Sequence, residues 1–441
     1  METDFLDYLD THETLEKASF HMPGHKGQAF FARVFSEMAC EMEGTEGMEG
    51  AEGRASSGSG NAGLEGLFSP AHDITEIPGA DDLRHPEGII KSIEDLYQDL
   101  YGSDRSYISV NGSSALIMAA VKTCVREGHK LVAGSNSHIS VRNGAKLAGA
   151  ELVTIEPEVM DGSSKVPCGI SPEKVQKALE EDRDADTVLI TSPNYFGMMS
   201  DIRKIADITH DAGKILIVDE AHGAHLKFFD AGQAGDQSSA AEDLGADIVI
   251  VSTHKTLCSF TQTAVANLFV RDGIGTGAGG FDPEKFREEL LMLESTSPSY
   301  ILMESLAVNA LVMKRLGKKL IEAWKADLDW FYEEAGPLER IRVLDTPLLK
   351  DRSKIVIDFS GAGLNGDEAQ EELIKRGIYP EFVSGNIVMF LTGIGNVRAD
   401  YELLISAIRE MESAAGGVSR ECSSEKEGSR AERLVSPGEI G

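Results

Sequence analysis

DIRKIADITHDAGKILIVDEAHGAH, residues Asp201 to His225, is the stretch that decides the fold. Its first part reads as a helix, KILIV (Lys214–Val218) as a short apolar strand, and Asp219 stands where that strand ends. The same grammar continues in both directions. Upstream lie TVLIT (Thr187–Thr191), ELVTI (Glu151–Ile155), KLVAG (Lys130–Gly134) and SYISV (Ser106–Val110). Downstream lie DIVIVS (Asp247–Ser252) and AVANLFV (Ala264–Val270). Short runs rich in Val and Ile, several of them separated by helical segments, predict an α/β fold with a mostly parallel sheet covered on both faces. Long helices at roughly Pro298–Leu316 and Lys318–Glu334 lead away from it. KIVIDF, a helix near Asp367–Arg376, NIVMFLT and a helix at Asp400–Met411 then predict a smaller C-terminal α+β domain.

The expected organisation is an N-terminal arm to residue 69, a large domain over 70–330, a small domain over 331–413 and a low-complexity tail over 414–441. Within the arm, residues 36–66 turn to Glu, Gly, Ser, Ala and Met, as in EMEGTEGMEGAEGRASSGSGNAG. Such a composition offers little to pack and reads as a flexible insertion. There is no internal repeat.

The 441 residues are 41% apolar, enough for a real core, and too many for one ordinary domain. Acidic residues outnumber basic ones 73 to 42, for a formal charge of −31. That field repels phosphate backbones and anionic lipid, which argues against nucleic-acid and membrane partners. The opening METDFLDYLD is not a basic-apolar leader, and no apolar stretch is long enough to cross a bilayer. The five cysteines form no CxxC pair, which suits reduced thiols in the cytoplasm.

In an open parallel sheet, ligands gather beyond the carboxyl ends of the strands. There the chain places Asn111-Gly112-Ser113-Ser114 before a helix, Ser192-Pro193-Asn194-Tyr195, Asp219, and Ser252-Thr253-His254-Lys255. A buried lysine has a lowered pKa and becomes a nucleophile able to hold an aldehyde covalently. A lone lysine here would more often begin a surface loop, but Ser252, Thr253 and His254 put phosphate donors directly before this one. A carboxylate at the mouth of an apolar strand needs a cation, and a protonated pyridine nitrogen matches Asp219. The NGSS turn opens a helix whose free N–H groups favour a phosphate, with Gly112 allowing close approach. Serine is equally an ordinary N-cap there. His138 reaches the same rim, as a ring to stack on a pyridine or as a hydrogen-bonded structural histidine. Asp219, His222 and His225 also read as a metal cluster, which Gly223 disfavours by breaking the helix that would align them. For His21 and His25, the reading from residues alone is a rigid Pro-Gly turn. These sites point to a phosphorylated pyridine aldehyde, pyridoxal 5′-phosphate (PLP), on Lys255.

SFHMPGHKG, DITEIPGADDLRHPEG, NGSS, SNSHISVRNGAKLAGA, TSPNYFG, VDEAHGAH, STHKTL and ESTSPSY follow one another in an order that resembles the Orn/Lys/Arg decarboxylase family. The likeness covers most of residues 18–35 and 70–305, and is strongest to the short forms without an N-terminal wing domain. It implies a PLP enzyme of the aspartate-aminotransferase fold. Lys255 becomes the Schiff-base lysine, Asp219 the pyridine-nitrogen partner and His138 the stacking ring. Ser113, Ser114, Ser252 and His254 become phosphate-binding or flanking residues, and Ala221, beside His222, packs on the other ring face. It further implies a homodimer in which STSPSY and HMPGHKG serve the partner's site. The implied reaction removes CO2 from lysine, arginine or ornithine to give a polyamine or its precursor, with Lys255 or His254 as the proton donor. Aminotransfer or another lyase reaction on the same fold, and a weakly active PLP-binding protein, are the alternatives. Two departures stand out: the insertion between HMPGHKG and DITEIPG, and a C-terminal proline-rich segment reduced to VSPGEIG. The acid that reads the substrate's distal cation is open among Glu76, Asp81, Asp82 and Glu294.

Overall fold

The computed structural model describes residues 17–45, 67–160, 165–229, 238–271, 281–346 and 349–417. The first sixteen residues, 46–66 and 418–441, including VSPGEIG, lie outside these.

A seven-stranded sheet forms the centre, in the order 105–109, 264–268, 248–251, 215–219, 185–191, 130–134, 151–155. All neighbours pair in parallel except Ala264–Leu268, which runs against both its partners. Ile215–Asp219 and Ile248–Val251 are buried along their whole length. Their side chains alternate between two cores. Leu216, Val218, Val249 and Val251 join one, and Ile215, Ile217, Ile248 and Ile250 the other. A strand buried on both faces must be apolar at every position, which is why these runs show no polar alternation.

A second, antiparallel sheet follows in the order 382–384, 387–391, 354–358, 342–343. Ala18–Phe20 pairs in parallel with Ile378–Pro380, so the start of the described chain lies against its last third.

Three expectations shift. The two long helices are one, Tyr300–Ala335. Gly317 does not break it, because Met313, Leu316, Leu320, Ile321 and Trp324 carry the buried stripe through the glycine. The segment read as an insertion from residue 36 begins inside a helix, Gln28–Thr45. Phe30, Phe31, Val34 and Met38 are buried along one side of it, and that apolar stripe outweighs the polar composition that follows. The last helix extends over Arg398–Gly417, past the expected end at 411.

Trp324 joins the layers. It is 2% exposed, its ring lies 4.8 Å from Phe229 and 4.9 Å from His225, and its Nε1 donates to Thr392 Oγ1 at 3.0 Å. Trp324→Ala is expected to cost about 3–5 kcal/mol, the range for emptying a large aromatic site. Urea unfolding of the variant checks this.

Candidate active site

Five strands of the large sheet end on one cavity of about 480 Å3. From the Arg105–Ser109 strand come Gly112, Ser113 and Ser114, and from Lys130–Gly134 comes His138. Tyr195 follows Ala185–Thr191, Asp219 and His222 follow Ile215–Asp219, and Lys255 follows Ile248–Val251. Ala221 and His254 complete the residues that the sequence singles out here. Ser252 does not line the cavity: it is fully buried beneath it, and its hydroxyl has no partner among the described residues. Two larger cavities, about 630 and 690 Å3, run along the HMPGHKG turn and the first helix, and neither contains Asp219 or Lys255.

Lys255 sits in a single helical turn, Thr253–Thr256. Its Nζ lies 2.9 Å from His222 Nε2. Burial pulls the amine below the usual lysine range, while Asp219 and Glu381 pull it back up. Burial, then the cations of Lys255 and Lys354, holds His222 well below the usual histidine range. A neutral His222 therefore accepts from Lys255 through Nε2, and its Nδ1 has no partner among the described residues. Burial pushes the Asp219 carboxyl up, against Lys255 and His138; one of its oxygens accepts the Ala221 amide at 3.2 Å.

Two other histidines are fixed by backbone. His138 caps the helix Ile139–Ala148, accepting the Ser140 amide at Nδ1. His254 Nδ1 donates to the Thr263 carbonyl at 2.8 Å, which leaves Nε2 as its acceptor nitrogen; burial brings its pKa to about 4. At the end of the cavity formed by the NGSS turn, Gly112 has φ +78° and the helix Gly112–Cys124 begins with no side-chain cap. Gln262, also with positive φ, donates to the Val110 carbonyl and lines the cavity beside Thr261.

The HMPGHKG turn packs on its own chain. Gly24 N donates to the His254 carbonyl at 2.8 Å, and Met22 lines the same cavity as Lys255. His225 turns to Asp351 at 3.2 Å, away from the metal arrangement with Asp219 and His222.

None of the four acids proposed for substrate reading lines the cavity. Asp81, which burial would raise, is held down to about 2 by the amides of Glu87, Gly88 and Ile90. Burial raises Glu294 to about 7. Glu381, which no motif marks, does not line the cavity either but bonds two residues that do, from the bend between Ile378–Pro380 and Phe382–Ser384. It accepts the Tyr195 hydroxyl and the Met22 amide, each at 3.0 Å. The Tyr195 ring lies 4.8 Å from that of His222. Tyr195 stands in TSPNYFG and is legible as a rim residue; Glu381 is brought there only by the second sheet.

Comparison with known proteins follows the same lines. Residues 66–329 match the family described as Orn/Lys/Arg decarboxylase, major domain. The arginine decarboxylase of Bacillus cereus is 28% identical over 418 residues, covering 93% of this chain and 82% of that protein. Among solved structures, the lysine decarboxylase of Francisella novicida has a TM-score of 0.62 at 20% identity, covering 92% of this chain. Lysine decarboxylase A of Pseudomonas aeruginosa has a TM-score of 0.65 at 18% identity, again covering 92%. The chain spans 59% and 61% of those two structures' lengths, and the likeness to them is one of fold.

Gly24 is a tight joint beside the site. A Cβ there would lie 2.3 Å from the Leu257 carbonyl oxygen, while one on Gly393 would lie 2.6 Å from the Gly24 carbonyl oxygen. Gly24→Ala is expected to destabilise the protein by about 1–3 kcal/mol, because the obstruction is backbone that cannot rotate away. Denaturant titration against the wild type measures this.

Proposed function

The chain belongs to the Orn/Lys/Arg decarboxylase family, and we propose that it is a PLP-dependent decarboxylase of a basic amino acid, with arginine the first candidate substrate. Arginine is favoured because a relative covering 93% of the chain bears the name arginine decarboxylase. The products would be agmatine, a polyamine precursor, and CO2. The observation that carries the reading is that Lys255 and Asp219, an amine and a carboxylate, line one cavity with an uncapped helix N-terminus.

The residues fit the cofactor. Gly112, Ser113 and Ser114 offer backbone and hydroxyl donors to a phosphate. Asp219, raised by burial, is suited to a partner that brings a positive charge, as a protonated pyridine nitrogen does. His138 and Ala221 would flank the ring. When bound, PLP supplies an aldehyde for an amine to attack and a ring that takes up electrons from a breaking bond.

The protein's own residues would do the rest. The lowered pKa of Lys255 keeps part of it as free amine, the form that attacks an aldehyde. His222 Nε2 holds that amine in place and, being neutral, adds no charge. Lys255 is the candidate for moving a proton to the product carbon; His254, neutral with its proton on Nδ1 held by the Thr263 carbonyl, presents only an acceptor nitrogen and is less suited to that role. Glu381 would bind the distal cation. Each of its oxygens accepts one hydrogen bond, from Tyr195 or Met22, both of which line the cavity, and retains capacity for another. The acidic surface would also favour the approach of a cationic substrate. A homodimer is part of the proposal, from the family's habit. No described helix is long and apolar enough to cross a membrane.

Release of CO2 from arginine, lysine and ornithine by the PLP-loaded protein is the decisive test. Turnover of at least one is expected, with none by Lys255→Ala. Amino-group transfer to a keto acid without CO2 would replace the assignment with an aminotransferase. Borohydride reduction should leave a pyridoxyl group on Lys255. Glu381→Gln is expected to raise KM for the substrate about 10-fold or more, the effect of losing one charged hydrogen bond, with a smaller change in kcat. Steady-state kinetics checks it.

A further inference from the structure

Beneath the cavity lies a buried ion pair that none of the chemistry above uses. Lys354 opens the strand Lys354–Asp358 of the second sheet and is fully buried. Its Nζ donates to Asp351 Oδ2 at 2.6 Å and to the backbone carbonyl of His222. Asp351 Oδ1 accepts from Ser353 N at 2.9 Å and from His225 Nε2 at 3.2 Å. The same short segment holds a second rim loop. Asp351 N donates to the Gly197 carbonyl at 2.8 Å, and a Cβ on Gly197 would meet the Asp351 carbonyl oxygen at 2.7 Å. Residues 351–354 thus grip both the 192–197 loop, which carries Tyr195, and the 219–225 loop, which carries Asp219, Ala221 and His222.

We infer that Asp351 and Lys354 are positioning residues for the site, fixing His222 against Lys255 and setting the two loops that flank the cofactor ring. His222 is the link. Lys354 holds its carbonyl on one side, and its imidazole meets Lys255 Nζ at 2.9 Å on the other. A buried charge pair contributes little net stability, since desolvation offsets the attraction, and an apolar pair of similar volume often serves as well. What an apolar pair lacks is a directed donor for the His222 carbonyl. The charge of Lys354 also reaches the site, lowering both His222 and Lys255. The inference rests on the proposed cofactor site.

The test uses the PLP-loaded full chain carrying Lys354→Gln, Lys354→Met or the double change Asp351→Leu/Lys354→Met. Glutamine keeps a donor for the His222 carbonyl without the charge; methionine keeps only volume. Two readouts are compared at matched thermal stability. The first is the visible circular dichroism of the bound cofactor, read without substrate. The second is kcat and KM for CO2 release.

Lys354→Met and the double variant are expected to lose about half or more of the dichroic signal. Their kcat should fall about 10-fold or more, with KM changed less, as misplacement of a reacting group predicts. Lys354→Gln is expected to recover most of both. Folded Met and double variants with wild-type dichroism and kcat would show a purely structural pair and overturn the inference. So would Gln and Met variants that fall equally. If the double variant does not fold, the Gln–Met comparison decides alone. If the wild type binds PLP but releases no CO2, the proposed reaction fails while the dichroism still decides on positioning.

Discussion

An amine and a carboxylate kept out of water at the ends of apolar strands are the constraint on which the rest depends. Lys255 and Asp219 each lose solvation that the apolar strands beneath them cannot replace. They compensate partly through each other and partly through the backbone and His222. The result is a pair shifted toward neutrality, the amine downward and the acid upward. That state is costly for a resting protein and well suited to a partner offering an aldehyde and a ring nitrogen. The sheet supplies the rigidity such a pair requires. Parallel neighbours from 130–134 to 248–251 all end at one rim, so the side chains following them converge without long loops.

The second sheet braces that rim from outside the cavity, which none of its residues lines. Glu381 enters from its edge, Lys354 and Asp351 grip the two loops beneath, and Gly393 and Gly395 let the HMPGHKG turn close against His254. The long helix Tyr300–Ala335 makes this arrangement possible, because one continuous buried stripe packs against both parts of the chain. Trp324 contacts the loop after Asp219 on one side and Thr392 on the other. The strand ends of the large sheet and the edge of the small one that carries Glu381 are therefore parts of one packed unit.

The division of labour among the histidines follows from their hydrogen bonds. His254 is tied to a carbonyl, His138 caps a helix, His225 faces a carboxylate, and His222 alone meets the lysine. Burial keeps His138, His222 and His254 below their ordinary pKa. They can therefore shape the cavity without adding positive charge that would oppose a cationic substrate.

Much of this was legible in the chain itself. Apolar runs without polar alternation announce strands buried on both faces, and turn residues at their ends announce a binding rim. Lys255, Asp219, His138 and the NGSS turn stand out because each sits at a strand end, where local pattern and position coincide. What local pattern does not carry is any contact made across hundreds of residues. Glu381 meets Tyr195 and Met22 over separations of 186 and 359 residues. Lys354 reaches His222 over 132. Gly317 reads as a helix break until tertiary burial supplies the stripe that carries the helix through it. The sequence by itself determined the sheet and the placing of Lys255 and Asp219 after its strands, because backbone periodicity and strand ends are local properties. Only the tertiary structure decided which acid bonds the rim residues Tyr195 and Met22 and what holds the loops, because those contacts arise from packing one sheet against another.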